Sequence, residues 1–249
     1  SIIDYFCTMV LITGSTGIVG IRLMYDLLKK GELVRGLKRE NSDLEFVQKV
    51  FNFYDPQLGD SLFSKIEWIN GDVNDIESLV AAFEGVNYCY HAAALVSYRF
   101  ADRNDLIYTN AEGTANVVNA ALNAGVAKFC HISSVAALGR AENGNITSEE
   151  DYWTRETNTS AYGLSKYMAE REVWRGIAEG LNAVIVNPGV ILGPSKPHQS
   201  SGMLMAVLKK GVPFYPRGVV GYVDVRDVSR AAINLMQSDI NDQRFILVS

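Results

Sequence analysis

Residues 13–20 read Thr13-Gly14-Ser15-Thr16-Gly17-Ile18-Val19-Gly20 and lie between the first predicted strand and the first predicted helix. Gly14 allows a tight turn, Gly17 lets the backbone approach a pyrophosphate, and Gly20 permits close packing of helix on strand. Free N–H groups at the helix start attract the anion. An ordinary glycine-rich turn is the alternative, but the position at the head of a βαβ unit favours a dinucleotide-binding loop. We therefore predict that the dinucleotide contacts Gly14, Ser15, Thr16, Gly17, Ile18 and Gly20.

The same alternation of strand and helix continues along the chain. Strands are predicted at 9–13, 33–38, 66–70, 88–91, 128–133 and 183–186, and helices at 17–30, 44–53, 76–83, 106–124, 161–179 and 227–237. Nearly continuous apolar strands that alternate with helices predict an α/β fold, a Rossmann-type doubly wound parallel sheet. After residue 187 the regularity breaks into loops rich in Gly and Pro, with one helix near 203–210, where a small C-terminal substrate lobe is expected. The predicted domains are a dinucleotide-binding core over 1–187, rejoined by about 219–237, and a substrate lobe over 188–218 and 238–249.

Composition excludes several classes of partner. The 249 residues have a net charge of −5, so the broad positive field that nucleic acid requires is absent. Cys7, Cys89 and Cys130 are odd in number and far apart, which predicts neither disulfides nor a metal site and favours a reduced, cytoplasmic setting. No apolar run approaches the roughly 18 residues that span a bilayer, so no membrane association is predicted. Met9 directly before the first strand and a strand-like end at 245–249 lead us to expect an extension at the start and a chain that continues past Ser249.

The end of the second predicted strand carries positive charge. Lys38-Arg39 follows the glycines by about 20 residues, where an NAD-binding protein places an acidic residue for the ribose 2′-hydroxyl. Arg39, helped by Lys38 or Ser42, has the geometry to pair with a 2′-phosphate. Solvated charges at a strand end are the alternative. The sequence favours NADP, with NAD as the second choice.

Two further segments follow predicted strands. Asp72 lies where the adenine amine would be met and Val73 where it would flank the ring, although a helix-capping Asp is an equal alternative. The small residues after the fourth strand would let the backbone pass close to the dinucleotide, and they are Ala92, Ala93 and Ala94. His91 is interpreted as a packed or hydrogen-bonded histidine rather than as an acid or base.

The predicted catalytic residues lie further along the chain. Tyr162 and Lys166 are four residues apart at the start of a helix, so they share a face. A nearby ammonium would lower the pKa of the phenol, which is about 10 in isolation. Ser134 follows the fifth strand at the carboxyl edge of the sheet and would hold a substrate carbonyl, with Ser133 as its competitor. The amide of Asn110 would anchor a water behind Lys166, or else it is an exposed helix residue.

These motifs resemble the extended short-chain dehydrogenases/reductases, and within them the dihydroflavonol reductase and cinnamoyl-CoA reductase branch. The resemblance spans nearly the whole chain and is carried by 13–20, 110–114, 133–134, 162–166 with 169–170, 187–194 and 222–228. It implies a catalytic tetrad of Asn110, Ser134, Tyr162 and Lys166, with Lys166 on the nicotinamide ribose. It also implies that the backbone after Pro188, at Gly189 and Val190, faces the carboxamide, and that helices 106–124 and 161–179 form a homodimer bundle.

Three functions are compatible with this pattern. The first is NADP(H)-dependent reduction of a ketone or aldehyde of a small-molecule substrate, with Tyr162 as general acid. The second is a nucleotide-sugar epimerase or dehydratase that holds NAD, against which the charge of Arg39 argues. The third is a non-catalytic dinucleotide sensor, against which the presence of both Tyr162 and Lys166 argues. The substrate depends on the loops over 190–219, which no motif identifies.

Overall fold

The computed structural model describes residues 8–139, 147–151, 153, 160–196, 202, 209, 211 and 220–249. A seven-stranded sheet forms its centre, and every neighbouring pair of strands in it is parallel. The described residues form this sheet and a separate pair of strands, and all these strands in chain order are β1 (Met9–Thr13), β2 (Leu33–Lys38), β3 (Glu67–Asn70), β4 (Tyr88–His91), β5 (Lys128–Ile132), β6 (Ala183–Pro188), β7 (Val190–Leu192), β8 (Tyr222–Asp224) and β9 (Gln243–Leu247). Their order in the main sheet is β3-β2-β1-β4-β5-β6-β9, while β7 and β8 pair separately. The predicted doubly wound parallel sheet is confirmed.

Helices cover both faces of this sheet. They are α1 (Ile18–Lys29), α2 (Leu44–Tyr54), α3 (Gly59–Phe63), α4 (Ile76–Ala82), α5 (Arg103–Leu106), α6 (Gly113–Ala124), α7 (Ala161–Ala178) and α8 (Val225–Met236). A π-helical segment, Ile107–Glu112, joins α5 to α6. Apolar residues of α1, α2 and α8 pack on one face, and those of α4, α6 and α7 on the other.

The core explains why these segments form strands and helices. All residues of β5 and β6 are buried, as expected of strands that helices cover on both faces. Phe51 of α2 and Phe129 of β5 are fully buried on opposite faces of the sheet. Each such side chain contributes roughly 1.5–3 kcal/mol when it leaves water. The sheet is therefore a rigid platform whose strand ends position the site.

The last strand corrects the predicted domain boundaries. The prediction put 238–249 in the substrate lobe, but β9 pairs with β6 from Val184–Gln243 to Pro188–Leu247. The physical reason is that β6, which is fully buried, would otherwise end the sheet with an unpaired edge. The predicted helix near 203–210 lies outside the described residues, apart from residue 209.

The outer edge of β9 is also covered. The backbone N–H of Ile246 donates to Glu149 Oε1 at 2.8 Å. The guanidinium of Arg244 donates to the carbonyls of Glu149 and Asp151, at 2.8 and 3.1 Å. We call residues 149–151 the edge cover. The Ile246 N–H is thereby engaged and is not offered to another chain.

Candidate active site

The glycine loop after β1 is packed too tightly for side chains. Gly14 has a φ of +66°, and a Cβ there would lie 2.5 Å from the backbone of Ala92 and Ala93. A Cβ on Gly20 would lie 2.2 Å from the Gly14 carbonyl oxygen. At Gly17 the nearest atom to a Cβ is 3.2 Å away, and the residue is exposed at the start of α1. The loop therefore turns at Gly14, packs at Gly20 and presents open backbone at Gly17, which is the arrangement that a pyrophosphate requires.

Polar contacts behind the loop fix it to the sheet. The Ser15 hydroxyl donates to the carbonyl of Leu37 at 2.7 Å, so this side chain holds β2. His91 joins Thr13 at 2.7 Å through Nδ1 and Thr114 at 2.9 Å through Nε2. Complete burial lowers the pKa of His91 to about 3, and the nearby Lys166 acts in the same direction. His91 is thus a neutral, hydrogen-bonded link, as the sequence indicated.

Beside the loop lies a cavity of about 720 Å³ at the ends of β2 and β3. Thr16, Arg39, Ser42 and Asp72 line it, as does Lys196. Arg39 is exposed, and its side chain has no hydrogen bond or ion pair within the described part of the chain, whereas Lys38 donates to the side-chain oxygen of Asn70. Of the two adjacent cations, Arg39 is the one available to an anion in this cavity.

Asp72 and Val73, predicted to meet adenine, are placed differently from one another. Asp72 lines the cavity and accepts from the backbone of Asn74 at 2.9 Å, while Asp75 caps α4. Val73 is buried in the core, and a Cβ on Gly113 would lie 2.7 Å from its Cγ2. The prediction that Val73 flanks adenine is not supported, because its apolar side chain is packed against the start of α6.

Tyr162 lies in the first turn of α7, which Ser160 caps by accepting from Gly163 at 3.1 Å. Burial raises the pKa of Tyr162 to about 12, although a hydrogen bond with the Ser134 side chain opposes this. The direction is opposite to the predicted lowering by Lys166. Desolvation of the phenolate outweighs the stabilising contacts. Tyr162 consequently retains its proton at neutral pH.

Lys166 is 2% exposed, and its ammonium donates to the carbonyl of Ile132 at 2.9 Å. Burial lowers its pKa to about 8, against a smaller opposing effect of Glu170. The i, i+4 spacing puts Lys166 and Tyr162 on one face of α7. The last residue of β5, Ile132, therefore fixes the position of the Lys166 ammonium.

Three hydrogen bonds to the protein's own groups hold the side chain of Asn110. Its amide donates to the Leu95 carbonyl at 3.0 Å and to the Ser165 hydroxyl at 2.9 Å, and it accepts from the Leu95 N–H at 2.7 Å. Both amide hydrogens are thereby occupied, so they do not hold the predicted water. The residue is buried in the π-helical segment, and a π-helix often marks a functional site. Asn110 instead fixes the loop after β4 to the residue preceding Lys166.

The two adjacent serines have different partners. The Ser133 hydroxyl donates to Glu170 Oε1 at 2.5 Å, and the same oxygen accepts from the Asn187 amide at 2.5 Å. Ser134 accepts from the backbone of Ala136 at 3.1 Å, and its side chain lies close enough to Tyr162 to lower the pKa of the phenol. Ser133 is therefore committed to a buried polar network, and Ser134 is the serine placed with the phenol.

The remaining predicted cofactor contacts lie at the carboxyl ends of β4 and β6. The run from Ala92 to Ala94 changes from half-buried to exposed, directly against Gly14. Pro188 ends β6, Gly189 donates to the Leu247 carbonyl at 3.0 Å, and Val190 begins β7. These two strand ends lie on either side of the β5 end that carries Ser134. The structure thus brings the predicted groups to one edge of the sheet.

Two residues at this edge were missed by the sequence analysis. The ring of Tyr98 is 79% exposed, with its centroid 5.9 Å from that of Tyr162. Lys196, in the loop after β7, reaches across to the N-terminus of α2. An aromatic residue in the loop after the alanine run was a usable signal for Tyr98. No local pattern indicates Lys196, because its partner Asp43 is 153 residues away.

Comparison with protein families gives a match over residues 10–247 to a model described as the NAD dependent epimerase/dehydratase family. The chain belongs to the NAD-dependent epimerase/dehydratase family. This membership confirms the resemblance to extended short-chain dehydrogenases/reductases that the motifs indicated.

Relatives of this epimerase/dehydratase chain include reductases. It is 33% identical to a Synechocystis sp. protein provisionally named dihydroflavonol 4-reductase, over 88% of this chain and 60% of that protein. It is 31% identical to sterol demethylase protein B of Methylococcus capsulatus, over 95% of this chain and 68% of that protein. Cinnamoyl-CoA reductase 1 of Oryza sativa is 31% identical over 90% of this chain and 66% of its own length. The chain thus spans about two thirds of the length of these relatives or less.

Solved structures agree with this placement in the epimerase/dehydratase family. The crystal structure of gox2253 superposes with a TM-score of 0.83 at 31% identity, over 97% of this chain and 70% of that one. UDP-glucose 4-epimerase of Thermotoga maritima superposes with a TM-score of 0.81 at 21% identity, over 97% and 77% of the two chains, and at that identity shows the shared fold alone. Among the described residues, no cluster of His, Cys, Asp and Glu is arranged to hold a metal ion. None of the described helices is long and apolar enough to cross a bilayer.

Proposed function

We propose that this protein is an NADP(H)-dependent oxidoreductase that reduces a ketone or aldehyde to an alcohol, with Tyr162 as general acid. The observation that carries this proposal is the position of the Tyr162 phenol, in the first turn of α7 and next to Ser134 at the carboxyl end of β5. The phenol keeps its proton at neutral pH, so it is in the form that can donate to a substrate oxygen. A carbonyl oxygen that gains negative charge during reduction is an acceptor of that proton.

The residues on the page fit a dinucleotide. The glycine loop leaves open backbone at Gly17, and Arg39 faces the adjoining cavity without a partner in the described chain. We propose that Arg39 holds a 2′-phosphate, that Lys166 holds the nicotinamide ribose, and that the backbone over 188–190 faces the carboxamide. Bound NADPH supplies the hydride.

The protein's own groups then handle the proton. The Ser134 and Tyr162 hydroxyls donate to the substrate carbonyl oxygen and orient it, and Tyr162 transfers its proton as charge develops on that oxygen. The Lys166 ammonium stabilises the resulting phenolate. Because its pKa of about 8 is close to neutral pH, this ammonium can also exchange its proton. Asn110 keeps Ser165, and with it this turn of α7, in place.

The substrate class is suggested by exposed apolar surface beside the phenol. Val96 and Tyr98 of the loop after β4 are 42% and 79% exposed, and Tyr108 of the π-helical segment is 52% exposed. Aromatic rings bury large areas when a ligand covers them. We therefore propose a small carbonyl compound with an apolar or aromatic body that lies on Tyr98.

Substitution Tyr162→Phe tests the acid. Because general acid catalysis typically contributes about 10²- to 10⁴-fold, turnover should fall by roughly that factor while the Kd for NADPH stays within about twofold. Steady-state kinetics on a panel of aromatic aldehydes and ketones, with a fluorescence titration of NADPH, measures both quantities. Turnover close to wild type would refute the assignment.

A titration with NADPH and NADH tests the cofactor. Wild type should bind NADPH more tightly, and Arg39→Ala should remove most of that preference, because a charge-assisted hydrogen bond contributes about 1.5–3 kcal/mol. Lys38→Ala is the matched control, since Lys38 is already bonded to Asn70. Equal affinities for both nucleotides in all three proteins would contradict NADP preference.

A further inference from the structure

A short segment after β7 crosses the start of α1. At Gly193 a Cβ would lie 2.6 Å from Val225 Cγ1 and 3.2 Å from Ile18 Cδ1, so this backbone rests on the first residues of α8 and α1. A Cβ on Gly202 would lie 2.1 Å from the carbonyl oxygen of Lys196, which packs the segment from its other side. We call residues 193–196 the strap. The strap runs from the glycine loop to the cavity that Arg39 lines.

The strap ends on a lysine that points into that cavity. Lys196 Nζ lies 2.5 Å from Asp43 Oδ2 and 5.2 Å from the ring centroid of Phe46. The Asp43 side chain also caps α2, since its Oδ1 accepts from the Phe46 N–H at 2.9 Å. The side chains of Lys196 and Asp43 are 33% and 47% exposed. An ion pair with that exposure is weak, so an anion of higher charge can replace the carboxylate.

The cavity lining carries more carboxylates than cations, so a bound phosphate would need more than one cation beside it. Its described lining contains four carboxylates, those of Glu40, Asp43, Asp72 and Asp75, and two cations, Arg39 and Lys196. A phosphate monoester carries a charge of about −1.5 to −2 near neutral pH. The single positive charge of Arg39 would not balance the charge of this phosphate and of the four carboxylates around it. Lys196 is the other cation within the described lining that can offset it.

We propose that Lys196 is a second residue that binds the 2′-phosphate of NADP, and that it exchanges the Asp43 carboxylate for the phosphate so that the strap closes on the nucleotide. This inference rests on the proposed function, because it requires NADP as the cofactor. Lysine suits the exchange, since its flexible stem and compact ammonium can follow a phosphate as a point charge.

Fluorescence titrations of NADPH and NADH on the intact protein test this role through affinity, independently of turnover. In Lys196→Met, the Kd for NADPH should rise roughly tenfold while that for NADH stays within about twofold, as the loss of one charge-assisted contact predicts. Lys196→Arg should retain most of the preference. In Asp43→Asn, which keeps a good N-cap residue, NADPH should bind more tightly because a competing carboxylate is gone.

Lys49→Met is the matched control, because Lys49 lies on the same helix α2, is exposed, and pairs with Glu45 at 2.5 Å. It should leave the ratio of the two affinities unchanged. If Lys196→Met weakens both nucleotides equally, or leaves both unchanged while Arg39→Ala removes the preference, the phosphate-binding role of Lys196 is overturned and the proposed function stands. If wild type shows no preference for NADPH and Arg39→Ala has no effect, the NADP assignment itself fails.

Discussion

At the scale of single residues, burial determines the chemistry of the site more than sequence spacing does. The spacing of Tyr162 and Lys166 predicted a phenol made more acidic by its lysine. The structure shows both groups desolvated, with the pKa of the phenol raised to about 12 and that of the ammonium lowered to about 8. Both shifts favour the uncharged forms. At neutral pH Tyr162 therefore keeps its proton until charge develops on an acceptor oxygen, and Lys166 lies close to its titration point.

Lys166→Met should reveal the stability cost of the buried ammonium. Between pH 8 and the ordinary lysine value of 10.5, the unfolded chain holds a proton that the folded protein has released, so the free energy of unfolding rises with pH in this window and falls as the pH drops to 8. Below pH 8 the cost is complete. The variant should therefore be as stable as wild type or more stable at pH 7, by up to a few kcal/mol, and lose that advantage by about pH 10.5.

Urea unfolding at pH 7 and pH 10 measures this difference. Lys65→Met, at an exposed lysine, is the control and should show no comparable change between the two pH values. A Lys166→Met protein that is less stable than wild type by the same amount at both pH values would show that the ammonium is not destabilising.

At the scale of elements, two glycines of the glycine loop have different roles: Gly20 is needed for packing, and Gly17 is needed for binding of the dinucleotide. Gly20→Ala improves helix propensity by about 1 kcal/mol, but its Cβ would lie 2.2 Å from the Gly14 carbonyl oxygen. Because the obstructing atoms are backbone, the clash should dominate, with a net loss of about 1–3 kcal/mol. Gly17→Ala meets only one atom at 3.2 Å, so it should keep stability within about 1 kcal/mol and weaken dinucleotide binding instead.

Thermal unfolding and NADPH titration on the two variants check this separation. Gly20→Ala should lower Tm clearly, and Gly17→Ala should raise the Kd with little change in Tm. Identical behaviour of the two variants, in either measurement, would argue against distinct roles.

Local patterns predicted most elements, and their failures have physical reasons. The bounds of β1, β2 and β4 agree with the prediction, because short apolar runs next to Gly and polar residues mark them well. The π-helical segment was not predicted, since its i, i+5 hydrogen bonds leave no distinct pattern of apolar residues. The glycine loop, Tyr162, Lys166 and Ser134 could be identified because their spacing is local. Lys196 and the network of Glu170 with Ser133 and Asn187 depend on tertiary contacts that local sequence does not encode.

At the scale of the whole molecule, the edge cover keeps the sheet from pairing with other chains. Glu149→Ala removes the acceptor of the Ile246 N–H and should expose a donor on the outer side of β9. We expect concentration-dependent association larger than any dimer formed through the α6 and α7 helices. Light scattering over a range of protein concentrations measures it. Glu149→Gln, which keeps an acceptor oxygen, should behave like wild type, and unchanged scattering by Glu149→Ala would argue against a protective role.

The pairing of β6 with β9 also has a consequence for synthesis of the protein on the ribosome. Val184 is translated 59 positions before its partner Gln243, and the whole strap and lobe region emerges between them. During that interval one edge of β6, a strand that is buried along its whole length in the folded protein, has no partner strand. An unpaired strand edge on a nascent chain is prone to misassembly. This edge of β6 is protected only when β9 has left the exit tunnel and can pair with it.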